Sequence, residues 1–97
     1  MFQGDALLGA PILFGDGLRC IGGLLVRLYT TNAVSGSLVV PGAGQSSIRT
    51  RSAAQGDPLT PGSIRGYQSW YRDANATFCG PASGGAWNLS NAVRIVW

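Results

Sequence analysis

Hydrophobic and polar positions alternate along this chain in short runs, and glycine or proline cuts almost every run before it reaches helical length. Leu24 to Thr31 shows the pattern best: Leu24, Val26, Leu28 and Thr30 fall on one face of an extended chain, and Leu25, Arg27, Tyr29 and Thr31 fall on the other. Upstream, Gly15-Asp16-Gly17 separates an apolar arm at Ile12 to Phe14, read as an edge strand, from Leu18 to Ile21. Asp-Gly supplies the backbone angles of a tight hairpin turn. Gly22-Gly23 reads as a break before the Leu24 strand. Asn32 to Gly36 reads as a turn, Ser37 to Val40 as a short strand stopped by Pro41-Gly42, and Gly44 to Ser47 as loop.

The second half follows the same grammar. Ile48-Arg49-Thr50-Arg51 alternates apolar and polar, which predicts a strand with both arginines on its wet face. Two turn clusters, Gly56-Asp57-Pro58 and Thr60-Pro61-Gly62, mark a connection around Leu59. Ile64 to Arg72 is rich in aromatic residues and predicts a strand with rings on both faces. Asp73 to Gly85 is the longest irregular stretch, and Trp87 to Ser90 and Ala92 to Trp97 are extended pieces split at Asn91. The expected fold is all-β: a small antiparallel β-sandwich or small barrel of about seven to eight short strands, spanning residues 1–97 as one domain.

Composition narrows the classes. The chain has 97 residues, enough for one core, and only 11% are charged against an average of about 25%, which argues against disorder and against a salt-bridged helical bundle. Every basic residue is Arg and every acid is Asp, so the good helix formers Lys and Glu are missing. A net charge of +3 permits an anionic partner, but the arginines stand singly, which argues against nucleic acid. The longest uninterrupted apolar run has three residues, as at Leu24 to Val26, far below the ~20 of a spanning helix, so no membrane span is expected.

Cys20 and Cys79 have no CxxC spacing and no histidine to complete a zinc site. A disulfide between them would close a long loop, pin the irregular stretch before Trp87 and place the chain outside the cytosol. The alternative is two buried thiols packed as small hydrophobes. The chain carries no export signal of its own, so an exported product requires another part of the molecule, and the chain reads as an excised terminal piece with an added starting Met.

Catalysis has little to build on. Without histidine, and with three of the four Asp in turn settings, no general base, serine-hydrolase elbow, phosphate loop or calcium cluster emerges, so no enzyme activity, no cofactor and no metal is expected. Asn75-Ala-Thr77 and Asn88-Leu-Ser90 match the glycosylation sequon and decide nothing. One constellation suits recognition: Tyr67, Trp70 and Tyr71 with Arg65, Arg72 and Asp73, where rings stack on apolar sugar faces and planar polar groups fix hydroxyls. The competing assignment makes Trp70 a core residue packed on the Cys20–Cys79 bridge.

The string Leu13-Phe14-Gly15-Asp16-Gly17-Leu18-Arg19-Cys20-Ile21-Gly22-Gly23, then Val26-Arg27-Leu28, Arg65-Gly66-Tyr67-Gln68-Ser69-Trp70-Tyr71-Arg72-Asp73, Phe78-Cys79, Asn88 to Asn91 and Ile95-Val96-Trp97, resembles a C-terminal domain found on large exported proteins of planctomycete and myxobacterial type. The likeness runs from Phe2-Gln3-Gly4 to Trp97. It implies a bacterial setting at the cell surface, outside the cell or in the periplasm, and assigns no functional residues. Three readings follow. The first is a non-enzymatic terminal module for adhesion, envelope anchoring or export sorting, with an envelope protein or glycan as partner. The second is a carbohydrate-binding module using Tyr67, Trp70 and Tyr71, and the third a subunit that self-associates by pairing edge strands.

Overall fold

The computed structural model describes residues 1–72 and 87–97. Six strands and one helix make up these residues: β1 (Phe2–Phe14), β2 (Gly17–Arg27), α1 (Ile48–Ala54), β3 (Ile64–Gln68), β4 (Trp70–Arg72), β5 (Trp87–Leu89) and β6 (Val93–Val96). The strands form a four-stranded sheet in the order β2-β1-β3-β6 and a two-stranded sheet of β4 and β5, and every pairing is antiparallel. The all-β antiparallel expectation therefore holds. Among the described residues the strands differ in bounds from those expected, and a helix joins them.

β1 and β2 form the predicted hairpin, closed at the Gly15-Asp16 turn with Phe14 opposite Gly17. Both arms are longer than their apolar runs. β1 occupies thirteen residues and lies inside the sheet at its start, where Phe2, Gln3 and Gly4 pair with β3. Gly22-Gly23 does not break β2; it makes a bulge. Register shifts between Gly4 and Ala6, Gly23 takes a positive φ of 69°, and the Asp5 carboxylate accepts the Leu24 N–H at 2.7 Å. A Cβ at Gly23 would collide with that carboxylate, so the bulge needs glycine twice over. A second shift, between Leu7 and Ile12, absorbs Pro11 where no ladder bond is required.

Four expected strands change. Leu28 to Thr31 lies beyond the end of β2, and Ser37 to Val40 makes only an isolated bridge, Val34 with Ser37. Ile48 to Arg51 is the first turn of α1. The Ser47 hydroxyl caps it by accepting the Thr50 N–H at 3.1 Å, and Ser52 faces inward. Ile64 to Arg72 is two strands in two sheets. At Ser69 the chain turns away from β6 and bonds Ser90 twice, through the Ser69 N–H to Ser90 Oγ at 2.9 Å and the Ser90 N–H to Ser69 O at 2.8 Å.

The largest core cluster joins Val26, Leu28, Tyr29 and Tyr67, flanked by Val40, Ile48, Ile95 and Trp97. The 46–62 segment straps onto it. The Tyr29 hydroxyl donates to Ser46 O at 2.6 Å, Arg51 Nε donates to Leu28 O at 2.9 Å, and Arg49 Nη1 donates to Leu59 O at 2.9 Å while its guanidinium lies 5.3 Å from the Trp97 ring.

Two glutamines hold the sheet where an apolar residue would be expected. Gln3, fully buried, donates through Nε2 to Ser52 Oγ at 2.7 Å and Asp57 Oδ2 at 2.6 Å. Gln68, 2% exposed, donates to Leu18 O and Ser90 O at 2.8 Å each and accepts the Cys20 N–H at 3.2 Å. Each side chain replaces hydrogen bonds that its neighbours would otherwise make to water.

The expected Cys20–Cys79 bridge is not supported. Cys20 is a free thiol, partly buried, with Sγ 3.8 Å from Leu18 O, and Cys79 lies outside the described residues. The scaffold is therefore explained by the ladder and the glutamine bonds. No helix among the described residues is long and apolar enough to cross a membrane.

Candidate functional site

The residues singled out from the sequence separate onto two sides of the Ser69 turn. Arg65, on β3, is bound to Asp57: Nη2 reaches Oδ1 at 2.5 Å and Nε reaches Oδ2 at 2.8 Å, a two-pronged geometry for a pair whose side chains are 15% and 8% exposed. The guanidinium holds the Asp57 carboxyl below the ordinary carboxylate range, with the Gln3 bond acting the same way and burial acting against both. Tyr67 is core. Its hydroxyl accepts the Trp97 indole N–H at 2.8 Å, and burial pushes its phenol above the ordinary value. Neither Arg65 nor Tyr67 is among the cleft-lining residues described next.

Trp70, Tyr71 and Arg72, on β4, do come together. They form one wall of a cleft of about 700 Å³, within the size range of small-ligand sites. Phe14, Arg19, Leu25 and Arg27 of the β1–β2 hairpin line it as well, together with Tyr29 to Ala33 and Leu38. Asp73, the last member of the expected constellation, lies outside the described residues.

Trp70 organises this cleft. Its ring meets Trp87 edge-on at 6.0 Å, so Trp87 occupies the packing position that the sequence reading gave to a disulfide. Trp87 in turn meets Phe14 edge-on at 4.6 Å. At the hairpin turn, Gly15 has a positive φ of 64°, and a Cβ there would run into the Trp87 ring, so the hairpin tip approaches this aromatic stack through its backbone. The Arg27 and Arg72 guanidinium carbons lie 5.9 and 5.2 Å from the Trp70 centroid, and that of Arg19 lies 5.6 Å from the Phe14 centroid. Tyr71 is 46% exposed.

The electrostatics are one-sided. Among the described residues three arginines line the cleft and no acidic residue does; the ion pair of Arg65 with Asp57 lies elsewhere. Buried Arg19 Nε and Trp70 Nε1 have no hydrogen-bond acceptor. Such a site can bind and orient an acceptor-rich ligand. Among its described lining residues there is no carboxylate, histidine or thiol for proton transfer or nucleophilic attack. Among the described residues no group of three or more potential metal ligands gathers anywhere.

The hairpin residues Phe14, Arg19 and Arg27 were outside the set expected from sequence. A signal for part of the lining was present: the face of the Leu24 to Thr31 alternation that carries Leu25, Arg27, Tyr29 and Thr31 lines the cleft in full. Comparison with known proteins finds no matching family model, no matching curated protein and no matching solved structure.

Proposed function

We propose that this chain is a non-enzymatic recognition module and that the cleft between the β1–β2 hairpin and β4 is its binding surface. One observation carries the reading: Arg27 and Arg72 both lie over Trp70 in a cleft with exposed aromatic surface and, among its described lining residues, no carboxylate, histidine or thiol. Aromatic and Arg side chains are the residue types that dominate binding surfaces, because they give large contact area with few rotors to fix.

On this reading the four-stranded and two-stranded sheets are the layers of a small sandwich that presents the cleft, and the work is adhesion, anchoring or sorting of a larger protein. The exported bacterial setting rests on the family resemblance alone, because Cys20 is free. Sugar recognition is favoured over edge-strand assembly by Trp70 and the half-exposed Tyr71 at one site. It uses those two rings without Tyr67, which is core.

A glycan and cell-envelope binding screen tests the reading, run with the unaltered chain beside Trp70→Ala and Tyr71→Ala. Saturable binding that weakens at least tenfold in Tyr71→Ala, whose exposed ring is dispensable for folding, is the expected result. Binding that survives both substitutions, or a chain that self-associates and binds nothing, overturns it.

A further inference from the structure

Resting on the cleft being the binding surface, we infer that its ligand is an acidic sugar: a pyranose-sized ring bearing a carboxylate or sulfate. Arg19, Arg27 and Arg72 place three permanent positive charges around one cleft whose described lining residues include no acid. Like charges that share a cleft repel, and a bound anion relieves that repulsion. Cation–π contact with Trp70 and Phe14 holds the guanidinium groups beside the cleft, and the planar N–H fork of a guanidinium suits the oxygens of an oxyanion. The unaccepted N–H groups of Arg19 Nε and Trp70 Nε1 belong to two of these same residues.

A sugar body fits the rest of the lining. Thr30, Thr31, Asn32 and Ser69 add neutral hydroxyl and amide groups suited to ring hydroxyls, and Tyr71 adds an exposed ring suited to an apolar sugar face. A nucleic acid would need a track of cations along its phosphates. Of the four other arginines, Arg65 is paired with Asp57 and Arg49 and Arg51 are turned to the Leu59 and Leu28 carbonyls, which leaves a single further cation, Arg94 on β6, outside the cleft lining.

Calorimetric titration with four probes tests the inference: an oligogalacturonate, a sulfated oligosaccharide, a neutral oligosaccharide of equal length and a single-stranded DNA oligomer. At least one acidic sugar should bind ten times or more tighter than the neutral one, weaken as salt rises, and weaken about tenfold or more in Arg27→Gln and in Arg72→Gln. Circular dichroism melting of both variants verifies that they fold. Neutral-sugar binding equal to acidic, lost in Tyr71→Ala but indifferent to both arginine variants, overturns the anion inference and leaves the recognition reading standing. DNA binding tighter than every sugar overturns the sugar assignment, and absence of binding by all four probes overturns the inference.

Discussion

Arginine stands in two opposite settings on either side of Ser69. On one side Arg65 is closed: Asp57 takes two of its N–H groups, Gln3 shares the same carboxylate, and Ser52 ties the assembly to α1 through the Asp57 carbonyl. On the other side Arg19, Arg27 and Arg72 rest on aromatic rings around a cleft with no acid among its described lining residues. The same side chain serves stability where its charge is matched and recognition where it is left available. The local partner decides which, since a buried charge without one is costly.

The contrast breaks most severely at Asp57. Asp57→Ala leaves the mostly buried Arg65 guanidinium and a Gln3 donor without their acceptor, and should cost about 3–5 kcal/mol in chemical denaturation. Asp57→Leu combined with Arg65→Met, which removes both charges, should recover most of that loss; a double variant as unstable as the single one would show that the pair matters for something beyond charge matching. Next in size is Gln68→Ala. It strips partners from the Cys20 N–H and the Leu18 and Ser90 carbonyls and should cost roughly 2–4 kcal/mol by the same assay.

Acid sharpens the comparison by a smaller margin. The Asp57 carboxyl is depressed in the folded state, so its contribution is complete above the unfolded value of about 3.9 and is lost as pH falls through the lower folded value. Stability of the unaltered chain should therefore fall on acidification below about pH 4, and the fall should be shallower in Asp57→Asn. Smallest of all is Arg72→Gln, a change at an exposed side chain held over Trp70, which should shift the melting temperature by no more than about 3 °C.

The hairpin was legible because Gly15-Asp16-Gly17 states its turn locally, and the antiparallel all-β class followed from short alternating runs. What escaped depended on distant partners. Ile48 to Arg51 is too short for alternation to separate strand from helix, and the deciding features were the Ser47 cap and the inward Ser52 met by Gln3. Gly22-Gly23 looks like a break unless Asp5 is known to lie opposite. Gln3 and Gln68 carry no sign of burial in their own neighbourhoods, because their acceptors and donors lie on other elements. Of the site, the β4 wall was visible as an aromatic and arginine cluster. The hairpin wall was hidden because only the fold brings Arg19 and Arg27 to it.

The most direct measurement follows the side-chain N–H signals of Arg and Trp in the ¹H–¹⁵N spectrum while the acidic oligosaccharide that binds tightest is added. Arg19 Nε, Trp70 Nε1 and the Arg27 and Arg72 guanidinium signals should shift together and saturate at one ligand concentration, with the Arg65 signal unmoved. A saturating response centred on Arg65 or on the β6 strand, with the four cleft groups still, would contradict the assignment of the open arginines to recognition.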